Sequence, residues 1–359
     1  MFRLALPLAI SAVARVAFGA PYTPSGGLGT NSTPPVYAPM SDFDYQSLIQ
    51  SLALYQEYIE LDLFHYGLAK FSTDDFEAAG LNAEDRYLIE FMADQEVGHS
   101  TLISNMLGPG AAKQCNYTYP FESVRDFVDF CQKLTRFGES GVYGFLEHLN
   151  SRPAATLLLE SITTEARQQM IFRQFEGLFP MPEWFIPAIT QSMAWTLLAP
   201  YITSCPDNNT HLAWQNFPAL QITNNPNAST LTNETGPAIT HNRTVPLSSP
   251  GMTVNLTWED PGKQVGPNGA YNTSTSAGQG KYVAWVSQLN TTFTELTVLG
   301  NNSGSTTQPG GDIFGDNTFP TINSTIFIMI TDSNPYVTPF NLTMLNQHVV
   351  AGPAMYQSG

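Results

Sequence analysis

Two stretches, ADQEVGHSTL at 93–102 and TTEARQQMIF at 163–172, each set a glutamate into a run with helical spacing. In the first, Glu96 is followed three residues later by His99. In the second, Glu165 is followed at the same interval by Gln168. Side chains at i and i+3 project side by side from a helix. Around Glu96 the stripe reads Leu88, Met92, Glu96, His99, Ile103, Met106, so a carboxylate and an imidazole take core positions on an apolar face. Around Glu165 it reads Leu158, Ile162, Glu165, Phe172. A buried carboxylate is costly unless something neutralises it. Hard divalent cations do so, because they prefer carboxylate oxygens, and imidazole adds a borderline ligand. The chemistry to expect is metal binding, with iron or manganese as one or two ions.

Other segments add acids of the same kind. Glu139 follows Gly138 and stands one turn before Val142, while Glu57 and Glu60 lie among apolar neighbours in LYQEYIELDLF. The spacing leaves open which of Glu57 and Glu60 faces inward. The chain order is therefore Glu, Glu-x-x-His, Glu, Glu-x-x-Gln. Carboxylate-bridged two-metal bundles take Glu-x-x-His from two helices and one glutamate from each of the others. Gln168 replaces the second imidazole with a neutral amide of weaker basicity. Three outcomes stay open: two ions with Gln168 as a ligand, one ion near His99, or a metal-free site in which Gln168 hydrogen-bonds the acids. The last requires the clustered acids to be protonated or paired, since like charges raise one another's pKa.

Other candidates carry less. His65 follows Glu60 by five residues and reads as a surface histidine, and Glu147–His148 reads as a solvated helix end. Tyr55, Tyr58 and Tyr143 fall near the acids but have the spacing of core aromatics. No Ser/His/Asp arrangement, phosphate loop or paired-cysteine zinc spacing is present.

The elements that position the acids follow from periodicity and caps. Helix one is expected over 42–70, and helix two starts after Asn82 and ends near Leu107 at a Gly-Pro-Gly. Helix three is expected over 123–149, helix four to about Phe175 with Pro153 in its first turn, and a fifth over 182–198. The long connection at 109–121 suits a four-helix bundle of the crossover type. After Cys205 the pattern changes to short β-branched and aromatic runs between Gly, Pro and Asn clusters: MTVNLTWE, KYVAWVSQL, TELTVLG and STIFIMITD. The fold class is α+β, a helical bundle over 42–205 followed by an antiparallel β domain over 206–359.

Composition narrows the partners. Charged residues make up only 12% and the net charge is −16, which argues against nucleic acid or an anionic membrane surface. Residues 1–20 have the pattern of a secretory signal, and 21–41 read as an extended leader. No later run suits a membrane span. Twelve Asn-X-Ser/Thr sites occur, and ten of them follow residue 205, so N-linked glycans are expected on the β half. Three cysteines leave one over in an oxidising compartment. The loop positions of Cys115 and Cys205 favour a bridge between them, with Cys131 reduced on the stripe Val124, Val128, Cys131, Thr135; other pairings stay open.

The stretches YQEYIELDLFHYGL, DQEVGHSTLISNMLG, GESGVYGFL and TTEARQQMIFRQ resemble the helices of the ferritin-like domain found in secreted fungal proteins, including stress-response and late sexual development proteins. The resemblance covers about 42–205. It implies Glu57 as the helix-one ligand with Glu60 as its competitor, Glu96 and His99 from helix two, Glu139 from helix three and Glu165 from helix four. Gln168 departs from the expected histidine. Two functions are consistent with this: a secreted metal-binding oxidase or peroxide scavenger, or a non-catalytic extracellular or cell-wall protein with a vestigial site. The oligomeric state is not indicated.

Overall fold

The computed structural model describes residues 40–228 and 246–358. The expected signal segment, nearly all of the leader, and the sequons at Asn31, Asn233 and Asn242 lie outside the described residues.

The helical half contains α1 (Asp42–Gln50), α2 (Ala53–Lys70), α3 (Thr73–Ala78), α4 (Ala83–Leu107), α5 (Val124–Leu146), α6 (Arg152–Phe175) and α7 (Gln191–Leu198). Each bundle helix after α2 begins on a side-chain cap. Asn82 and Asp85 form a reciprocal capping box for α4, Ser123 caps α5, and Ser151 caps α6 with Pro153 in its first turn. Helix α4 stops at Gly108, whose φ of 52° is easy only for glycine. The long helices α2, α4, α5 and α6 form the bundle: α2 packs on α4 and α5, and α6 packs on α5 and α4.

Three expectations need correction. Helix one is two helices, because Ser51 is extended and the Leu52 amide donates to the Gln191 side chain at 2.9 Å. The fifth helix is short, since Pro187 disfavours helical geometry at Ile186 and Thr190 caps a new start. Leu88 is exposed, and Ile89 takes its core place.

In the β half, β3 (Leu220–Ile222), β4 (Thr253–Trp258), β9 (Thr297–Gly300) and β10 (Ser303–Thr307) form an outer sheet in the order β3-β4-β10-β9. A central sheet has the order β12-β11-β7-β8, with β7 (Tyr282–Ser287), β8 (Asn290–Glu295), β11 (Ser324–Thr331) and β12 (Val349–Ser358). Two small ladders complete it: β1 (Asn116–Tyr117) with β2 (Ile202–Ser204), and β5 (Gln264–Val265) with β6 (Tyr271–Asn272). All these strand ladders are antiparallel. The expected strand TELTVLG is split at Leu296, where the chain leaves the central sheet for the outer one.

Strand β11 of the central sheet is buried on both faces. Ile326, Ile328 and Ile330 of β11 pack with Val254 and Leu256 of the outer sheet. The alternate residues Phe327 and Met329 join the cluster that contains Phe172, Met193 and Trp195 of the helices. A strand with two dry faces has no reason to alternate, which accounts for the continuous apolar run STIFIMIT. Cys115 and Cys205 are bridged beside the β1–β2 ladder, and Cys131 is free and buried.

Candidate metal centre

Each of the four long helices carries part of the acid cluster. Glu57 and Glu60 come from α2, Glu96 and His99 from α4, Glu139 from α5, and Glu165 and Gln168 from α6; all seven are buried. One glycine lets them sit there. A Cβ on Gly138 would fall 2.4 Å from Gln56 Nε2, so the bare backbone of α5 makes room for the Gln56 amide. That amide donates to Glu60 at 2.7 Å and to the Leu134 carbonyl at 3.2 Å.

Glu57, Glu96, His99 and Glu165 each direct a ligand atom so that the four atoms lie within 4.8 Å of one another. His99 Nδ1 stands 3.1 Å from both Glu57 Oε2 and Glu96 Oε2. On the far side of the ring, Thr164 Oγ1 is 2.9 Å from Nε2 and donates its own hydrogen to the Ser161 carbonyl. The hydroxyl therefore accepts from Nε2–H, and Nδ1 is left to face the acids. Gln168 donates to Glu96 Oε1 at 2.6 Å, while its Oε1 has no partner. Both oxygens of Glu165 also lack a hydrogen bond.

Burial dominates the electrostatics. It pushes Glu57 up to about 8, against the pull of His99, and it pushes Glu139 up to about 7, against the pull of Arg136. Glu60 and Glu165 rise well above the ordinary carboxylate range, by burial first and by repulsion from neighbouring acids second. Burial alone would lower His99, but its hydrogen bonds to Glu57 and Glu96 and their charges lift it to about 11. In the metal-free protein Glu57, Glu60, Glu165 and His99 hold protons tightly, as crowded buried groups must, while Arg136 opposes the rise at Glu139.

The donor set fits a divalent cation. Three carboxylates and one imidazole nitrogen converge, and unpartnered buried oxygens of Glu165 stand among them. The histidine is oriented through its second nitrogen, as metal-binding imidazoles commonly are. Among the helix-one acids, Glu57 belongs to the convergent group and Glu60 stands beside it, held by Gln56. Glu139 is not among the four; it faces Arg136, whose Nη1 lies 3.4 Å away.

Other candidates lie elsewhere. His65 is exposed with Nδ1 on the Leu61 carbonyl, and Glu147 and His148 are exposed. Tyr143 lies beside Glu139, whereas the Tyr55 and Tyr58 hydroxyls are engaged by the Thr210 carbonyl and Ser104. Sequence reasoning missed Gln56, Thr164, Arg136 and Glu183. A signal existed for the first three: each is a polar residue within three positions of a core acid on the same helix.

Comparison with known proteins agrees with this geometry. Residues 46–178 match the family model described as a ferritin-like domain. The chain is 56% identical over 349 residues to Protein rds1 of Schizosaccharomyces pombe, covering 94% of this chain and 86% of that protein.

Proposed function

Because the chain belongs to the ferritin-like domain family, with Protein rds1 as a relative over most of its length, we propose that it binds a redox-active divalent metal, iron or manganese, between its bundle helices. The observation that carries this reading is the convergence of Glu57, Glu96, His99 and Glu165 in a buried core. When bound, such an ion supplies one-electron chemistry of the kind that reduces a peroxide or oxidises a small donor.

The chain's own residues prepare the site. Thr164 fixes the ring of His99 so that Nδ1 points at the acids, and loss of one proton there exposes the lone pair that ligates. Gln168 holds one oxygen of Glu96 and leaves the other beside His99. Burial keeps bulk water from competing for the cation. Metal uptake must release the protons that the bare acids hold, so affinity rises with pH.

We further propose that the protein acts outside the cell, in stress tolerance or sexual development. The apolar N-terminal stretch, the Cys115–Cys205 bridge and the sequons of the β half support secretion. No helix among the described residues is long and apolar enough to cross a membrane.

A second reading is a cell-wall or extracellular scaffold with a vestigial site. It is favoured by the His99 ring, which in the bare protein already pairs with Glu57 and Glu96. Metal analysis separates the two. The secreted chain, incubated with Fe(II) or Mn(II) and desalted, is expected to retain stoichiometric metal and, with a small electron donor added, to consume hydrogen peroxide as that donor is oxidised. Retention of only trace metal would leave the scaffold reading standing. Bound metal without peroxide consumption would restrict the proposal to metal binding.

A further inference from the structure

The acid of the third bundle helix does not join the others. Glu139 on α5 is fully buried, and Arg136, one turn earlier, brings Nη1 to 3.4 Å from its carboxylate. Through Nη2 the same guanidinium pairs with Glu183, in the segment between α6 and α7. Arg136 is 1% exposed, so it is clamped between two acids and has no solvent into which to swing. On α6, the position three residues after Glu165 is Gln168, whose amide N–H is committed to Glu96.

The chain's ligand order has two halves. One half, Glu57 with Glu96 and His99, is intact and convergent. In the other, Glu165 converges with them, but Glu139 already has a counter-charge and position 168 offers only a neutral amide. A guanidinium stays protonated at any pH the protein tolerates. A second dication on Glu139 would face it across a single carboxylate, in a buried core where such repulsion is weakly screened.

We infer that the centre takes one divalent cation, held by Glu57, Glu96, His99 and Glu165, and that the Arg136 guanidinium stands in for a second ion as the fixed counter-charge of Glu139. This rests on the metal-binding reading above. It makes Arg136 a residue that sets the number of ions, and it makes Glu183 the clamp that keeps the guanidinium in place. The site then has an uneven charge distribution: an exchangeable cation on the α2–α4 side and a permanent one on the α5 side.

The test counts metal in the full chain. After loading with Mn(II) and desalting, wild type is expected to hold one ion per chain, with the paramagnetic resonance spectrum of an isolated ion. Two ions, or a spectrum of an exchange-coupled pair, would overturn the inference and leave the metal-binding reading intact. No retained ion would overturn both. Gln168→His restores the imidazole but leaves Arg136 in place, so it is expected to stay at one ion; a rise to two would show that Arg136 does not exclude the second. The double variant Arg136→Gln, Gln168→His is expected to approach two ions per chain. A folded double variant that still holds one would remove Arg136 from the explanation. If the double variant does not fold, wild type and Gln168→His alone still decide.

Discussion

Thr164 Oγ1 lies 2.9 Å from His99 Nε2, on the opposite side of the ring from Glu57 and Glu96. The contact joins α6 to α4 and fixes which imidazole nitrogen meets the acids. Partners that orient a ligating histidine typically contribute about 10–100-fold to metal affinity. Thr164→Val is therefore expected to weaken Mn(II) binding by a factor in that range, and Thr164→Ser to preserve it. Competition titration against a chelator measures both. Equal affinity in wild type and Thr164→Val would show that the ring is held by its acids alone.

Stability of the metal-free protein is expected to fall between pH 5 and pH 9. Glu57 is raised from 4.5 to about 8 and Glu139 to about 7, so in this interval the folded chain holds protons that the unfolded chain has released. His99, raised from 6.5 to about 11, contributes stability that is full below 6.5 and is lost as the pH climbs toward 11. All three act in one direction, because stability falls with pH wherever the folded state binds more protons. Bound metal reverses the trend, since it replaces those protons. Thermal melts with and without Mn(II) should diverge as pH rises, and parallel curves would contradict the account.

Gly144 offers a test of packing. A Cβ there would come 1.9 Å from the Ile189 carbonyl oxygen, a backbone atom that cannot rotate away. Gly144→Ala is expected to cost at least about 1–3 kcal/mol, as overpacking does. Gly98, in the middle of α4, is the control: it is exposed and has nothing within 4 Å of a built Cβ. Gly98→Ala should stabilise by about 0.5–1 kcal/mol through helix propensity. Urea denaturation of both variants reads the two signs.

The sequons are not equivalent. Asn255, Asn272, Asn290 and Asn301 are exposed. By contrast, the Asn323 amide donates to the Pro182 carbonyl, and the Asn341 side chain accepts from the Thr338 amide at 2.6 Å while donating to the Tyr336 carbonyl at 3.2 Å. A glycan on either nitrogen would replace one of its two hydrogens and crowd the carbonyl it meets. Glycopeptide mapping of the protein expressed through a eukaryotic secretory pathway is expected to find occupancy at Asn255, Asn272, Asn290 and Asn301 and little at Asn323 and Asn341. The reverse pattern would mean that these local hydrogen bonds form only after modification, or not at all.

The legible parts of this chain were those written locally. Asn82 announced one helix start, Pro153 the first turn of another and Gly108 an end, and the interruption of apolar stripes by Glu96, His99 and Glu165 announced buried polar groups. What escaped was set by distant contacts. The break after Gln50 has no proline or glycine; there the Leu52 amide is met by Gln191, 139 residues on from Leu52. The choice between Glu57 and Glu60 turns on where α4 presents His99, and the diversion of Glu139 turns on Glu183, which reaches Arg136 from outside the bundle. Leu88 and Ile89 are adjacent and both apolar, so spacing alone could not tell which one the helix buries.

The sheet shared between the helices and the outer strands has an implication for dissection. Phe327 and Met329 give the bundle a wall, and Ile326, Ile328 and Ile330 anchor that wall from behind. A fragment ending near residue 205 would leave Phe172, Met193 and Trp195 against solvent, and would become sticky rather than independent. The two halves are thus expected to melt in one step, and a protease should find no seam at which to release a working bundle.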